Sequence, residues 1–505
     1  MAVPAGDELV TLRARTQVRP ARLAETRRPA PDIGICVAVL LLVAGPLPYL
    51  LRFDHEHDFT AALITLTLAA CSFYSRQGVI VATMVFLAVL GDYRRYAGYF
   101  QGYPSNDPLL LVAPVIALLL LGQALLRGRR PPQTALSGLL LAMTMLMIVE
   151  IFNPVQGGIG IGFAGALFYV VPLLWFWVAR AYASLEFADR FTMWVVVGIG
   201  SAAMLLGLYQ TRFGLLPFEQ QWVEQRGYQA LYIAEEVVRA IGFFNSSAEY
   251  TRYLTLTAVT LLALWLTRRS RFVALLPLFL LAIFLSAARG PVVMVLLAMT
   301  VVWAVAARTA IMWVPRLGIA VAILGAALVA TLVMLKSSSL EGRVAPLIER
   351  QVSGLLEPAN QEKSTAAGHL EMIRDALVAG VLRPAGEGLG ATTQAADKYG
   401  EHNRSAEVDF ANLMISVGIL GGALYAIIIV VVLARAVTWW RVERRPYALA
   451  ALGSLVGTLG GWLIGGEYSA AALLWFQIGL LDSLSQRASL ARRGSRVHAP
   501  GIDHA

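Results

Sequence analysis

Charged side chains are scarce in this sequence. Only 14% of its 505 residues are Asp, Glu, Lys or Arg, whereas 58% are hydrophobic. Soluble proteins usually carry about a quarter charged residues, so the composition argues against an ordinary soluble domain. Apolar runs of about 18 residues or more, the length that a membrane-spanning helix needs, recur along the whole chain. The sequence therefore predicts an all-α, polytopic integral membrane protein.

Cysteines and several catalytic motifs are also rare or missing. The two cysteines, Cys36 and Cys71, both lie in apolar runs, which excludes a disulfide framework and a Cys-rich metal site. No phosphate-binding P-loop and no GxSxG motif occurs, so an ATP-driven pump and a serine hydrolase have no support. Residues 1–31 lack the apolar segment of a cleavable signal peptide, and we interpret them as a basic disordered tail.

The net charge of +9 comes from basic residues that lie beside the predicted membrane spans. Such a distribution is explained by orientation in the bilayer, so we expect no nucleic-acid partner. The sequence predicts about fourteen spans, with centres near residues 42, 66, 84, 117, 143, 173, 202, 258, 280, 298, 325, 424, 455 and 476. With the N-terminal tail in the cytoplasm, the clusters "RGRR" (127–130), "TRRSR" (267–271), "RVERR" (441–445) and "ARRGSR" (491–496) all fall inside. Positively charged loops favour the cytoplasm, so both termini are predicted to be cytoplasmic.

This topology divides the chain into five parts. The basic tail (1–31) precedes eleven spans (32–335), which include an outer loop at 214–249. A large extracytoplasmic loop (336–409) follows, then three more spans (410–484) and a second basic cytoplasmic tail (485–505). A structureless loop as long as 336–409 is uncommon. Two pieces of it, "EGRVAPLIERQVSGLLE" and "GHLEMIRDALVAGVL", have helical character, and we expect a small folded cap.

Polar residues gather at the predicted outer face. Arg289 interrupts the apolar stretch "LLPLFLLAIFLSAARGPVVMVLLAMTVVWA" (275–304) at the turn of a helical hairpin. It either extends to the lipid headgroups or faces a substrate cavity, as intramembrane charges usually do. Two other outer segments place polar groups on the same side, and their candidate residues are Arg239, Asn245, Tyr250, Arg252, His402, Asn403 and Arg404.

The order of these segments resembles the bacterial superfamily of O-antigen ligases and O-antigen or exopolysaccharide polymerases. The resemblance covers roughly residues 150–435, from "NPVQGGIGIGFAGALFYVVPLLWF" through "RAIGFFNSSAEYTRYLTL", "LSAARGP" and "RPAGEGLG" to "EHNRSAEVDFANLMISVGILGGALYAII". Two details depart from the family pattern. Ala287 and Ala288 stand where a small polar residue often precedes the arginine, and Ser246 replaces a proline.

The resemblance implies a glycosyltransferase of the bacterial cytoplasmic membrane, with its active site on the extracytoplasmic face. The donor would be a glycan on undecaprenyl diphosphate, and the acceptor another glycan or glycolipid. Family members are thought to invert the anomeric carbon without a metal ion, so no cofactor is expected. His402 would match the family's catalytic histidine, and Arg239 and Arg289 its diphosphate-binding arginines. Expected partners are the lipid bilayer and other polysaccharide assembly proteins.

The chemistry is consistent with these roles. A leaving diphosphate gains negative charge, which the planar donors of arginine stabilise. Histidine suits a base that deprotonates a sugar hydroxyl, and His369 is the rival to His402. We favour a polymerase of repeat units over a ligase that transfers the glycan to lipid A-core. A flippase for lipid-linked oligosaccharides and a receptor or scaffold without turnover are the alternatives of other classes.

Two weaker segments remain open. "DHEHD" (54–58) contains metal-ligand residue types, but a solvated turn is the simpler interpretation. A metal there would make the chain similar to another class of polyprenyl-dependent glycosyltransferase. "DYRRYAGYFQGYPSND" (92–107) mixes tyrosine and arginine, which suits interfacial anchoring or stacking on sugars.

Overall fold

The structure is a computed structural model of the full chain. It describes residues 31–52, 57–129, 131–226, 231–234, 237–307, 309–336, 342–356, 366–399, 404–405, 408–463 and 467–497. These residues are almost entirely helical, which confirms the all-α prediction.

The helices follow one another along the chain. They are α1 (Pro31–Ala44), α2 (Leu47–Leu50), α3 (His57–Tyr74), α4 (Arg76–Gln101), α5 (Val112–Leu126), α6 (Ala135–Glu150), α7 (Ile159–Tyr182), α8 (Leu185–Phe191), α9 (Gly200–Phe213), α10 (Pro217–Arg226), α11 (Ser247–Arg268), α12 (Leu276–Leu285), α13 (Arg289–Val305), α14 (Trp313–Lys336), α15 (Ala345–Leu356), α16 (Ala366–Leu382), α17 (Gln394–Lys398), α18 (Asp409–Ser416), α19 (Gly418–Glu443), α20 (Pro446–Gly457) and α21 (Tyr468–Val497). A π-helical segment (Thr192–Ile199) joins α8 to α9, and strands β1 (Tyr232–Ala234) and β2 (Val237–Val238) pair antiparallel.

Several helices have the length and composition of membrane spans. Among the described residues, seven are long and apolar enough to cross a bilayer: Asp32–Leu50, Arg76–Gln101, Pro108–Leu126, Ile159–Tyr182, Leu185–Phe213, Trp313–Leu335 and Gly418–Glu443. Four further apolar helices are shorter. Each of the fourteen predicted centres lies within a helix, but the number of spans remains a prediction. Helix α21 continues to Val497, past the predicted boundary at 484.

Close packing between helices relies on small residues, as is common where lipid removes the hydrophobic driving force. Helices α7 and α21 lie against each other at Gly479, where an added Cβ would come within 2.4 Å of the Phe176 carbonyl oxygen. Helix α11 is buried along most of its length and packs on α20 and α13. A side chain larger than hydrogen at Gly453 would meet Val259 of α11 and Val302 of α13. Small residues therefore allow α7 to pack closely on α21, and α11 on α13 and α20.

The ends of the helices form two chemically different layers. At one end, which we call the basic end, Arg268 pairs with Asp189 at 2.8 Å and Arg444 donates to the Ala307 carbonyl at 2.9 Å. Buried Asp482 pairs there with Arg180 at 2.9 Å and also with Arg435. Three of the predicted cytoplasmic clusters, around 127–130, 267–271 and 441–445, have described arginines in this layer.

The opposite layer, which we call the loop end, contains the long connections. Here Leu389 donates its backbone N–H to the Glu150 carbonyl at 3.2 Å, and Tyr468 donates to the Leu110 carbonyl at 3.2 Å. The strand pair and helix α15 also lie here, on the turn between α12 and α13. Segments that are far apart in the sequence, from 92–107 to 383–417, therefore meet at the loop end.

Candidate functional site

The turn between α12 and α13 presents Arg289 at the start of a helix. Ser286 donates its hydroxyl to the Ile283 carbonyl at 2.6 Å, and its oxygen accepts the Ala288 N–H at 3.4 Å. Ala287 has a φ of 53°, a left-handed conformation that costs an alanine about 1–2 kcal/mol. Such backbone strain is often found at functional sites. The turn places the Arg289 guanidinium, half-buried, beside the loop end.

Helix α15 lies across this turn. Leu347 packs in a small cluster with Ala287 and Val237, and Gln351 donates its side-chain N–H to the Ala288 carbonyl at 3.3 Å. Gly354 lies directly against Arg289, since a Cβ at that glycine would be 1.7 Å from Arg289 Nε and 2.0 Å from its Cζ. The guanidinium therefore packs against the backbone of α15 at Gly354, in space that a larger side chain would fill.

The immediate surroundings of Arg289 are positively charged. Arg350, one turn before Gly354 on α15, is exposed and close enough for the two charges to repel each other. Among the residues that the structure describes, no carboxylate pairs with either arginine. The two guanidinium groups together form a local excess of positive charge.

The strand pair brings Arg239 toward the same region. Arg239 directly follows β2, is half-buried, and donates its backbone N–H to the Leu231 carbonyl at 2.9 Å. Val237, two residues earlier, contacts the same cluster as Ala287. The structure thus brings together the segments that carry Arg239 and Arg289, as the sequence-based hypothesis requires.

Arg95 holds the segment that follows Arg239, and sequence reasoning missed it. Its side chain is 1% exposed and donates to the carbonyls of Phe244 at 2.7 Å and Gly242 at 3.3 Å. It also lies 3.1 Å from Asp92 and 3.8 Å from Glu219. Arg95 therefore holds the backbone of another segment in place. This differs from both roles that the sequence suggested for 92–107, interfacial anchoring and stacking on sugars. Its only sequence signal is an Asp three residues earlier on the same helix.

Glu219 completes this polar network. It accepts hydrogen bonds from the Gln210 side chain and the Leu216 N–H, both at 2.7 Å, and Gln210 in turn accepts the N–H groups of Ile241 and Gly242. Burial raises the pKa of Glu219 to about 7; Arg95 opposes this shift, and the nearby Asp92 carboxylate adds to it. Two carboxylates thus share one guanidinium in a buried site.

Three predicted site residues follow, Asn245 just before α11 and two on the helix itself. Asn245 is half-buried and donates its N–H to Glu249 at 3.4 Å. Tyr250 is 0% exposed and packs against Gly207, and Arg252 pairs with Glu467 while donating to the Gly461 carbonyl. Tyr250 and Arg252 thus make contacts inside the protein, and their predicted contact with substrate remains a prediction. Ser246, the departure from the family pattern, caps α11 by accepting the Glu249 N–H at 3.1 Å.

The glycine-rich turn at 383–390 also belongs to the loop end, where Leu389 and Gly390 lie against Gly165 of α7. Gly386 and Gly388 adopt φ values of 84° and 104°, and the Gly390 N–H donates to the Gln156 side chain at 3.0 Å. Glu387 in this turn pairs with Arg383 at 3.1 Å and with Arg404. Arg404 is thus neutralised by a carboxylate, whereas none in the described part of the chain pairs with Arg289.

The histidines of the hypothesis are only partly placed. His402 and Asn403 lie outside the described residues. His369 belongs to α16, which packs through Ala376 on Ala411 and Ile415 of α18, but its side chain is outside the description. The choice between the two histidines as base therefore remains a prediction.

The segment 54–58 contains one described histidine. Buried His57 hydrogen-bonds the Gly102 carbonyl at 2.9 Å and lies 3.6 Å from Asp107. Burial raises the pKa of Asp107, but hydrogen bonding with His57 and the charge of Arg94 outweigh it and lower the pKa to about 2. His57 is therefore part of a buried network and not of a solvated turn, whereas residues 54–56 lie outside the description. No group of three or more His, Cys, Asp or Glu in the described ranges could hold a metal ion.

Comparison with known proteins adds no family to this description. No protein-family model matches the chain, and a search of curated proteins finds no significant match.

Proposed function

We propose that this protein is a membrane glycosyltransferase that transfers a glycan from a polyprenyl diphosphate to an acceptor sugar hydroxyl. The observation that carries the proposal is Arg289, held on the Gly354 backbone with Arg350 nearby and no carboxylate partner among the described residues. A fixed guanidinium stabilises the charge that develops on a leaving diphosphate. Its planar donors also match phosphate geometry.

The orientation of the bundle supports an extracytoplasmic site. The arginine clusters of the basic end belong in the cytoplasm by the positive-inside tendency. The loop end, with Arg239, Arg289 and α15, then faces the outside of the cytoplasmic membrane of a bacterium, where a lipid-linked glycan would be presented. Charges grouped at one end of the bundle suit chemistry on one face better than passage through a central cavity.

The proposed reaction is inverting and uses a side-chain base. His402, or His369 as the alternative, accepts the proton of the acceptor hydroxyl as its oxygen attacks the anomeric carbon. The bond from that carbon to the diphosphate oxygen breaks, and the negative charge left on the diphosphate is met by Arg289 and Arg239. The most favoured product is a longer polysaccharide on its lipid carrier, made by joining repeat units.

The test uses the full chain purified in detergent with a short polyprenyl-diphosphate-linked glycan, and products are resolved by size. We expect a ladder of longer lipid-linked glycans that is lost in Arg289→Ala and His402→Ala. Arg268→Ala is the matched control, since Arg268 is an exposed arginine of the basic end whose partner is Asp189; it should leave the ladder unchanged.

Other outcomes separate the remaining candidates. Transfer that occurs only after a lipid A-core acceptor is added would indicate a ligase. Absence of transfer with both acceptors, with and without divalent cations, would contradict the enzyme proposal and favour a flippase. Movement of a fluorescent lipid-linked oligosaccharide across vesicles containing the protein would then be the measurement to make.

A further inference from the structure

One face of α15 is built to meet the Arg289 turn. Leu347, Arg350, Gln351 and Gly354 are spaced three or four residues apart, so they form a single stripe on the helix. Leu347 supplies the apolar contact, Gln351 binds the Ala288 carbonyl at 3.3 Å, and Gly354 lies under the Arg289 guanidinium. Helix geometry therefore directs Arg350 to the edge of the same contact.

Two features of this contact are unfavourable for the protein alone. Arg289 and Arg350 repel each other, and no carboxylate among the described residues stands between them. The side-chain oxygen of Gln351, a residue that is 0% exposed, has no hydrogen-bond partner in the described part of the chain. Buried polar groups are normally satisfied. Here the two cations lack an anion, and the Gln351 oxygen, which can only accept, lacks a donor such as a hydroxyl group.

We propose that the α15 stripe and the α13 N-terminus form one phosphate-binding site in which Arg350 is a further cation in addition to Arg289 and Arg239. Arg350 contacts one phosphate group of a diphosphate while Arg289 contacts the other. The backbone N–H groups at the start of α13 add further donors, as helix N-termini do for anions. Gly354 is a positioning residue, because it allows the Arg289 guanidinium to lie on α15.

This inference rests on the proposed function for the identity of the glycan carrier, but the phosphate chemistry can be measured without any transfer reaction. The probes are inorganic pyrophosphate and geranyl diphosphate, with geraniol as the uncharged control. Titration calorimetry on the full chain in detergent gives the dissociation constants. Binding of geranyl diphosphate that is much tighter than that of pyrophosphate identifies a lipid headgroup as the source, whereas equal binding identifies a free phosphate; both outcomes support the site.

The variants separate charge from position. Arg350→Ala should weaken diphosphate binding roughly tenfold to a hundredfold, as expected for loss of a charged hydrogen bond. Gly354→Ala keeps every charge but places a methyl group where the Arg289 guanidinium lies, and it should weaken binding similarly. Arg374→Ala and Gly368→Ala are the matched controls on α16, because Arg374 is exposed and a Cβ at Gly368 has nothing within 4 Å. Thermal melting checks that all variants are folded.

The inference and the proposed function can fail separately. Binding that depends on Arg289 but is unchanged in Arg350→Ala and Gly354→Ala would overturn the inference and leave the glycosyltransferase proposal standing. Binding that requires both arginines, in a protein that transfers no glycan, would support the site and contradict the proposed function. No measurable binding of either diphosphate to the unaltered chain would also overturn the inference.

Discussion

Replacement of Arg95 by methionine would test how the segment that follows Arg239 is held in place. Methionine fills much of the same volume but removes the hydrogen bonds to Phe244 and Gly242 and leaves Glu219 buried without its cation. Removing one partner of a buried ion pair costs about 3–5 kcal/mol. We expect a loss of that order, concentrated in residues 240–246.

Hydrogen exchange in detergent, read out by mass spectrometry, would measure this loss residue by residue. Amides of 240–246 should exchange faster in Arg95→Met, and the melting temperature should fall. Arg94→Ala is the matched control, because Arg94 is the neighbouring arginine on α4 and its side chain is 30% exposed. Arg95→Met combined with Glu219→Gln should recover part of the loss, since no unpaired charge is then buried. Equal exchange in Arg95→Met and Arg94→Ala would refute the reasoning.

Three further predictions concern the network and the bundle. The pKa of Glu219 is raised to about 7, so protonated Glu219 stabilises the fold at pH values below its ordinary pKa, and this stabilisation is lost as the pH rises through about 7. Exchange of the 241 and 242 amides, corrected for intrinsic rate, should therefore increase from pH 6 to pH 8. Glu219→Gln should remove that dependence on pH. Gly479→Ala should destabilise the α7–α21 contact by about 1–3 kcal/mol through overpacking, whereas Gly122→Ala, with open space around its Cβ, should not lower the melting temperature. Asp482→Ala should cost about 3–5 kcal/mol of stability because Arg180 then loses its buried partner. Asp189→Ala removes a partner from an exposed pair and should cost at most about 1 kcal/mol. Equal melting temperatures for these two variants would contradict a stabilising role for the buried pair.

The sequence predicted the helices well because membrane-type helices depend on local composition. A run of apolar residues long enough to cross a bilayer must satisfy its own backbone hydrogen bonds, so its length and hydropathy suffice to locate it. All fourteen predicted centres accordingly lie in helices. Helices α15 and α16 likewise coincide with the two pieces of the large loop that have helical character.

Contacts between distant segments could not be predicted in the same way. Arg95 binds a carbonyl 149 residues away, and Gln156 accepts an N–H 234 residues away. No local pattern encodes such pairs, because they depend on which helix ends become neighbours. Tyr250 and Arg252 illustrate the same limit. They were chosen for their position near a helix start, but the α11 faces that carry them contact Gly207 and Glu467.

Arg289 differs from other arginines of the bundle in having no partner of opposite charge among the described residues. A buried charge is costly unless it is paired, and the structure pairs Arg95, Arg180 and Arg252 with carboxylates or carbonyl groups. Arg289, half-buried and beside Arg350, has no such carboxylate among the described residues. A protein that pairs these three arginines has the means to neutralise Arg289 as well. The excess positive charge at the α12–α13 turn is therefore best explained by an anion that the chain does not itself supply, and a diphosphate has the charge and the spacing of oxygens to meet both guanidinium groups.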